Sequence, residues 1–383
     1  MTIIIILLFC LILPVGTAGG NPAFRPDPSH HSAGGYASEC ATGKNPSHNA
    51  AGDNSSQLSD TIFRIIFYNV ENLFDTEDEP GKNDSAFTPE GERRWNHFRL
   101  RNKINNIYKA LAAAGGSRIP PVIGLCEVEN MHVLKMLAYQ TGLRNHNYSI
   151  IHRDSPDHRG IDVAVLYRKD DFTVIDTIFR QIRFPFDTLA ATRDILYIKG
   201  ISGISDTLHL FVNHWPSRWG GQAATVPYRN FTAGVLRSMT DSLFAINPDA
   251  CVIIMGDFND EPEDISLRRY LGAKTDVDGP GSGKLYNISS PLKRNNKGTL
   301  KFQGEWFLFD QFIVSGSLLN GVSVLQACLH SVRIFSADFM LVADDPWFGF
   351  KPFRSYEGFR YTGGFSDHLP VILDLHRKSN AGR

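Results

Sequence analysis

An excess of charge of either sign is missing from this 383-residue chain: 39 Lys and Arg stand against 40 Asp and Glu, a formal net charge of −1. That excludes a bulk electrostatic pull toward nucleic acid or anionic membrane, and on charge alone a polyanionic substrate is not expected. CxxC pairs are missing too. The five cysteines, Cys10, Cys40, Cys126, Cys251 and Cys328, form neither a disulfide framework nor a thiolate zinc site by their spacing. Cys126 and Cys251 lie in apolar runs and read as buried free thiols. The long apolar run Ile3–Leu13 is too short to span a bilayer comfortably. Gly16, Thr17 and Ala18 follow it, so residues 1–18 read as a signal peptide, although no Lys or Arg precedes the run. Export to a periplasm or the exterior is the expectation, with no membrane span left after cleavage. Residues 19–60 contain no Ile, Val, Met or Trp and are rich in Gly, Ser, Pro and Asn. They cannot bury enough apolar surface to offset ordering and read as a disordered linker.

From Thr61 the texture changes, and 61–377 reads as one catalytic domain with a short tail at 378–383. β-branched runs recur at 63–70, 121–128, 148–151, 161–167, 172–178, 195–201, 207–213, 251–256, 300–302, 307–314 and 369–375. Several are continuously apolar, as expected of strands buried on both faces. Helical stripes lie between them: Leu100, Ile104, Ile107 and Leu111, stopped by Gly115-Gly116; Met131, Leu134 and Leu137; and Leu236, Met239, Leu243 and Ile246. Many strands with few helices predict two packed sheets covered by helices. The Gly-, Lys- and Asn-rich stretch 272–298 reads as a surface excursion.

Polar residues cluster at the ends of the apolar runs. They comprise the carboxylates Glu127, Asp257, Asp310 and Asp367, the amides Asn69 and Asn259, and the imidazoles His214 and His368. Strand ends hold side chains at fixed separations. Hard oxygen ligands without sulfur suit Mg²⁺, Mn²⁺ or Ca²⁺ better than zinc. No GxSxG elbow supplies a serine nucleophile. A metal-assisted attack of water on a phosphoester fits this inventory.

Gly256-Asp-Phe-Asn and Ser366-Asp-His, with Tyr68-Asn-Val, Cys126-Glu and Phe309-Asp-Gln in support, resemble the endonuclease/exonuclease/phosphatase superfamily over about Phe63 to Leu375. That superfamily includes deoxyribonuclease I, abasic-site endonucleases, sphingomyelinases and inositol polyphosphate 5-phosphatases. The resemblance implies an α/β fold: a four-layered α/β/β/α sandwich of two packed, mostly antiparallel sheets with helices on the outer faces. It further implies that Asn69 and Glu127 hold a divalent metal, with Glu127 the direct ligand. Asp257 would orient or deprotonate water, and Asn259 would bond phosphate oxygens. Asp367 and Glu71 would be metal-linked carboxylates. His368, paired with Asp310, would contact the scissile phosphate, and His214 would be a second active-site histidine.

Three further features bear on the substrate. Arg218 and Arg229, close after His214, either fork a phosphate or pair with nearby acids in a surface loop, and the fork is the expectation. The aromatic and basic stretch 346–361 is either a base-stacking surface or a loop packed on the domain edge. The basic run Arg93, Arg94, Arg99, Arg101 and Lys103 reads as a solvated helix face, and Asp162 as structural. The expected activity is that of an exported phosphodiesterase acting on nucleic acid as an endonuclease. The alternatives are a phosphatase or phospholipid phosphodiesterase, or an inactive relative used as a binding module. Retention of Glu127, Asp257, Asn259, Asp310 and His368 argues against the last. No stable protein partner is implied.

Overall fold

The computed structural model describes residues 62–204 and 206–378. The expected signal peptide, the linker and residues 379–383 of the tail lie outside the described residues. Strands β1 (Ile62–Leu73), β2 (Val122–Val128), β3 (Tyr148–His152) and β4 (Asp162–Arg168) belong to one seven-stranded sheet. Strands β5 (Phe172–Arg180), β6 (Ile195–Ser202), β7 (Thr207–His214), β8 (Cys251–Asp257) and β9 (Asp310–Ser315) belong to a second of the same size. Strand β10 (Val371–Arg377) returns to the first sheet beside β1. Short edge strands complete both sheets. The helices that matter here are α1 (His97–Gly115), α2 (Met131–Gln140) and α3 (Gln222–Ile246).

Pairing among the long strands is antiparallel except at two places, β1 with β2 and β7 with β8. A parallel pair needs a crossover of a dozen or more residues. The chain supplies it with α1 in the first case and α3 in the second. Asn96 caps α1 by accepting from the Arg99 amide at 3.1 Å, and Gly116, at φ 59°, ends it.

Alternation along the apolar strands builds the layers. Ile66, Tyr68 and Val70 of β1 pack with Leu100, Ile104 and Ile107 of α1 and Leu134 and Leu137 of α2. Phe63, Ile65 and Phe67, on the opposite face, pack with Leu208, Leu210, Ile253 and Met255 of the second sheet. Val252 and Ile254 of β8 turn the other way, onto Ala233, Leu236 and Phe244 of α3. The order is therefore helices, sheet, sheet, helix, the four-layered sandwich expected from the sequence. Truncating a side chain between the sheets, such as Met255, costs about 2–5 kcal/mol.

Several expectations need correction. Ile246 is 86% exposed, and α3 instead buries Thr232, Ala233, Leu236, Thr240 and Phe244. Threonine can face the core here because Thr232 and Thr240 donate their hydroxyls to helix carbonyls, at 2.9 and 2.8 Å. The stretch 272–298 is not only a surface excursion. Ala273–Lys274 and Leu285–Asn287 extend the second sheet, with Leu285, Tyr286 and Ile288 buried. The apolar run 307–314 splits into the hairpin strand Glu305–Phe307 and β9, which starts at Asp310.

Candidate active site

The parallel pairs β1/β2 and β7/β8 end on one edge of the sandwich, and the antiparallel β9 and β10 begin there. Polar residues at strand C-termini and at strand N-termini therefore converge. In register, His214 lies opposite Asp257 and Asp257 opposite Asp310. Asn69 lies opposite Cys126, one residue before Glu127. A Cβ on Gly256 would meet the Asn213 carbonyl oxygen at 2.4 Å, so glycine is required where β8 approaches β7 just before Asp257. Glu71, Asn72, Glu127 and Asn259 carry φ of 52°, 51°, 61° and 50°, four of the nine left-handed non-glycine residues described. Strain of about 1–2 kcal/mol per residue, less for asparagine, is thus concentrated where the strands turn outward.

Asn69 links the two sheets. Its Nδ2 donates to Asp257 Oδ2 at 3.0 Å and approaches Glu127 Oε1 at 3.4 Å, while its Oδ1 accepts from the Glu71 amide at 3.0 Å. As oriented, Asn69 positions the carboxylates, and its amide oxygen is already engaged. Glu127 Oε2 accepts from the Asn72 amide at 2.9 Å. His214 Nε2 lies 3.9 Å from Glu127 Oε1 and 3.7 Å from Asp257 Oδ2. Burial, reinforced by Arg193, Arg159 and His368, pulls the His214 pKa well below the ordinary histidine value, so its ring is neutral.

His368 is the opposite case. Its Nδ1 pairs with Asp310 Oδ2 at 2.6 Å and its Nε2 lies 3.8 Å from Asp257 Oδ2. Burial disfavours the imidazolium, but Asp310 and Asp257 outweigh it and raise the pKa well above the ordinary value. Asp257, desolvated and only partly offset by His368, is pushed up to about 6. That suits a base at neutral pH. Asn259 donates its amide N–H to Asp257 Oδ1 at 2.9 Å and one side-chain hydrogen to the Trp215 carbonyl at 3.1 Å. Its Nδ2 carries a second hydrogen that can meet a phosphate oxygen. Ser366 Oγ donates to the Asn69 carbonyl at 2.7 Å and accepts from the His368 amide at 3.0 Å, pinning the Ser-Asp-His turn against β1.

The donor set fits a hard divalent cation. Glu127 keeps 13% of its side chain accessible, and its Oε1 has only the long contacts to Asn69 and His214. Glu71 and Asp367 are differently engaged. Glu71 takes Arg354 Nε at 3.1 Å, the Ser355 amide at 2.7 Å and Lys103 Nζ at 3.6 Å, and Asp367 takes Arg354 Nη2 at 3.0 Å. Both acids hold Arg354 at the rim.

The two expected phosphate forks are not found. Arg229 is 0% exposed and pairs with Asp260 at 2.8 Å. Arg218 donates to Asp260 Oδ1 at 3.1 Å, Asp264 Oδ2 at 2.7 Å and the Asn259 carbonyl at 2.7 Å. Both brace the Asn259 turn from below. Arg193 and Arg354 escape the sequence reading, which places Lys103 on a solvated helix face. Lys103 is buried under Glu71, and its only cue is a charge on the stripe between Leu100 and Ile107. Arg193, just before β6, holds the His214 and Trp215 carbonyls and pairs with Asp157 at 3.0 Å. Arg354 lies inside the aromatic stretch. The basic run is solvated only in part: Arg94 and Arg101 are exposed, whereas Arg93 stacks on Phe87 and Tyr356, both at 4.9 Å, and Arg99 on Tyr361 at 4.5 Å. Asp162 is structural as expected, accepting from the Ser155 amide at 2.9 Å.

Fold and site together define a metal-dependent phosphoesterase. The chain belongs to the endonuclease/exonuclease/phosphatase family, whose model matches residues 64–377. No curated protein matches it. Among solved structures it is similar to D. rerio TDP2 complexed with single-strand DNA product, at 15% identity and TM-score 0.50, covering 82% of this chain and 99% of that one. Truncated Caenorhabditis elegans TDP2 is similar at 16% identity and TM-score 0.50, covering 83% and 98%. An endonuclease/exonuclease/phosphatase from Bacteroides vulgatus is similar at 13% identity and TM-score 0.50, covering 83% and 100%. At such identities the likeness shows the fold.

Proposed function

We propose that the protein is an exported phosphodiesterase that hydrolyses nucleic acid by direct attack of water, with Mg²⁺, or Mn²⁺ or Ca²⁺ in its place. The observation that carries the reaction is the Asp310–His368 pair facing Asp257 across the sheet edge. Asp257 accepts the proton of the attacking water. His368, held as an imidazolium by Asp310, donates to the scissile phosphate or its leaving oxygen. Asn259 bonds a non-bridging oxygen. His214, neutral, donates a hydrogen bond toward the same space. Glu127 would hold the cation, with Asn69 and Asp367 beside it; when bound, the cation neutralises charge developing on the phosphoryl oxygens. Glu71 sits behind, fixing Arg354. No protein nucleophile competes: burial, then Asp257 and Glu127, raise the Cys126 thiol far above its ordinary pKa, and the Ser366 hydroxyl is engaged.

Nucleic acid as substrate is supported by the fold shared with a TDP2 that holds a DNA product. It is also supported by rim aromatics: Phe302, Trp347, Phe348 and Phe350 are exposed, Trp347 by 53% and Phe348 by 85%. The hairpin carrying Phe302 begins at Leu300, which bridges His368. Exposed rings beside a phosphate site stack bases. The same hairpin tips favour a second reading, a phospholipid phosphodiesterase that seats apolar side chains in a membrane surface. One preparation with Mg²⁺, offered DNA, RNA, sphingomyelin vesicles and inositol phosphates in parallel, separates them. Turnover of lipid alone overturns the nuclease reading. Failure on all four, with His368→Ala indistinguishable from wild type, overturns hydrolysis itself.

A further inference from the structure

We infer that the loop between β1 and α1 forms a second cation site, distinct from the catalytic centre and suited to Ca²⁺. The loop Asp75–Asp84 carries Asp75, Glu77, Asp78, Glu79 and Asp84. Glu79, Asp84 and Glu129 each bring a carboxylate oxygen within 4.8 Å of the others. Among the described residues no lysine, arginine or histidine pairs with any of the three. Elsewhere this protein pairs its buried acids with cations, as with Asp157 and Arg193 or Asp260 and Arg229.

The second observation is Asp84 itself. It is 1% exposed; one oxygen accepts from the Glu79 amide at 3.0 Å, and the other, Oδ1, has no hydrogen-bond partner. A buried carboxylate oxygen without a donor, beside two further carboxylates, offers a ready oxygen ligand to a cation. Glu129, also buried, is fixed by donors from the Asp75 amide at 2.5 Å and Asn130 Nδ2 at 3.1 Å. Asn130 Nδ2 bonds Asp75 Oδ2 at 2.8 Å, which tightens the cluster further. All donor atoms are oxygen, and they come from an irregular loop and a strand end. Ca²⁺ accepts six to eight such ligands in flexible geometry, whereas Mg²⁺ demands a near-ideal octahedron.

The position gives the ion a purpose. The site joins the chain leaving β1 to the chain leaving β2, next to Asn72, whose amide holds Glu127. The Glu129 amide also donates to the Leu73 carbonyl at 3.1 Å. On its far side the loop is tied by Lys82 Nζ to the Ser155 and Asp157 carbonyls at 3.1 and 3.0 Å. A bound Ca²⁺ would therefore brace the Glu127 turn without touching substrate.

The test is calorimetric titration of CaCl₂ into chelator-stripped full-length protein carrying Glu127→Gln, which removes the catalytic cation's ligand. One Ca²⁺ per chain should still bind, with Kd between about 10⁻⁶ and 10⁻³ M, and raise the Tm, while Mg²⁺ at the same concentration raises it less. Adding Glu79→Gln, at an exposed position, should weaken Ca²⁺ at least tenfold, and adding Asp84→Asn should abolish the Tm shift. In chelator, Asp84→Asn should be no less stable than its parent, because it relieves like-charge repulsion. No Ca²⁺ binding by Glu127→Gln, or unchanged binding after both added substitutions, would overturn the site. Neither result bears on hydrolysis, which the substrate panel tests separately.

Discussion

The two crossover units, β1-α1-β2 and β7-α3-β8, share one topology and carry opposite electrostatics. The first ends in Asn69, Glu71, Glu127 and Glu129; among the described residues Lys103 and Arg354 oppose Glu71, and the neutral His214 lies 3.9 Å from Glu127. The second ends in His214, Asp257 and Asn259, and it rests on the buried or half-buried arginines Arg193, Arg218 and Arg229, which grip carbonyls and Asp260. The first unit is an acidic rim with few cations of its own. The second is a prepaid scaffold whose own cations fix the reacting groups. One topology thus yields an acidic half, proposed to bind cations, and a positioning half.

The largest effects should come where the halves meet. His368→Ala and Asp257→Asn should each lower kcat by about 10²–10⁴, with unchanged circular dichroism. A loss below tenfold for either would remove the acid–base roles and leave only the first half in the chemistry. Next, the scaffold itself can be attacked. Arg229→Met leaves the buried Asp260 with Arg218, whose side chain is 20% exposed, as its remaining cation, and Arg193→Met strips Asp157 of its buried partner. Each should destabilise by about 3–5 kcal/mol in urea denaturation. Lys103→Met should cost less, because Glu71 retains Arg354 and the Ser355 amide. Equal losses would erase the distinction between the halves.

The pH profile sharpens the comparison. Asp257 must be ionised to act, and burial lifts its pKa to about 6, so kcat/KM should climb as pH rises through that value. Loading a divalent cation beside it favours the carboxylate and should move this limb to lower pH. His368 must be charged, and its raised pKa places the falling limb above the ordinary histidine value. A profile falling from pH 6 to 7 would reverse these assignments. The smallest effect is expected at Arg218. Because it is engaged with Asp260 and Asp264, Arg218→Gln should shift KM by no more than about threefold, in line with roughly 1 kcal/mol or less for a partly exposed pair. A tenfold rise in KM at low salt would restore the phosphate fork.

Much of this was legible in the sequence because strands and motifs are local. The continuous apolar runs announced strands buried on both faces, and Gly256-Asp-Phe-Asn and Ser366-Asp-His marked their polar ends. The near-neutral charge sum was less useful, since it averages an acidic rim with a basic scaffold. Ile246 of α3 was misread, and Thr240 passed over, because a helical stripe assumes that only apolar residues face a core, whereas threonine can satisfy its hydroxyl on its own helix.

The sequence by itself determined the layers, the residue types of the site and the hard-oxygen chemistry, because hydrophobic period and ligand class are properties of short segments. Only the tertiary structure decided which charges meet. Arg218 and Arg229 follow His214 closely, yet they turn inward to Asp260. Arg354 and Glu71 are far apart in the chain and pair at 3.1 Å. Ion pairing depends on three-dimensional distance and burial, and neither is encoded in spacing along the chain.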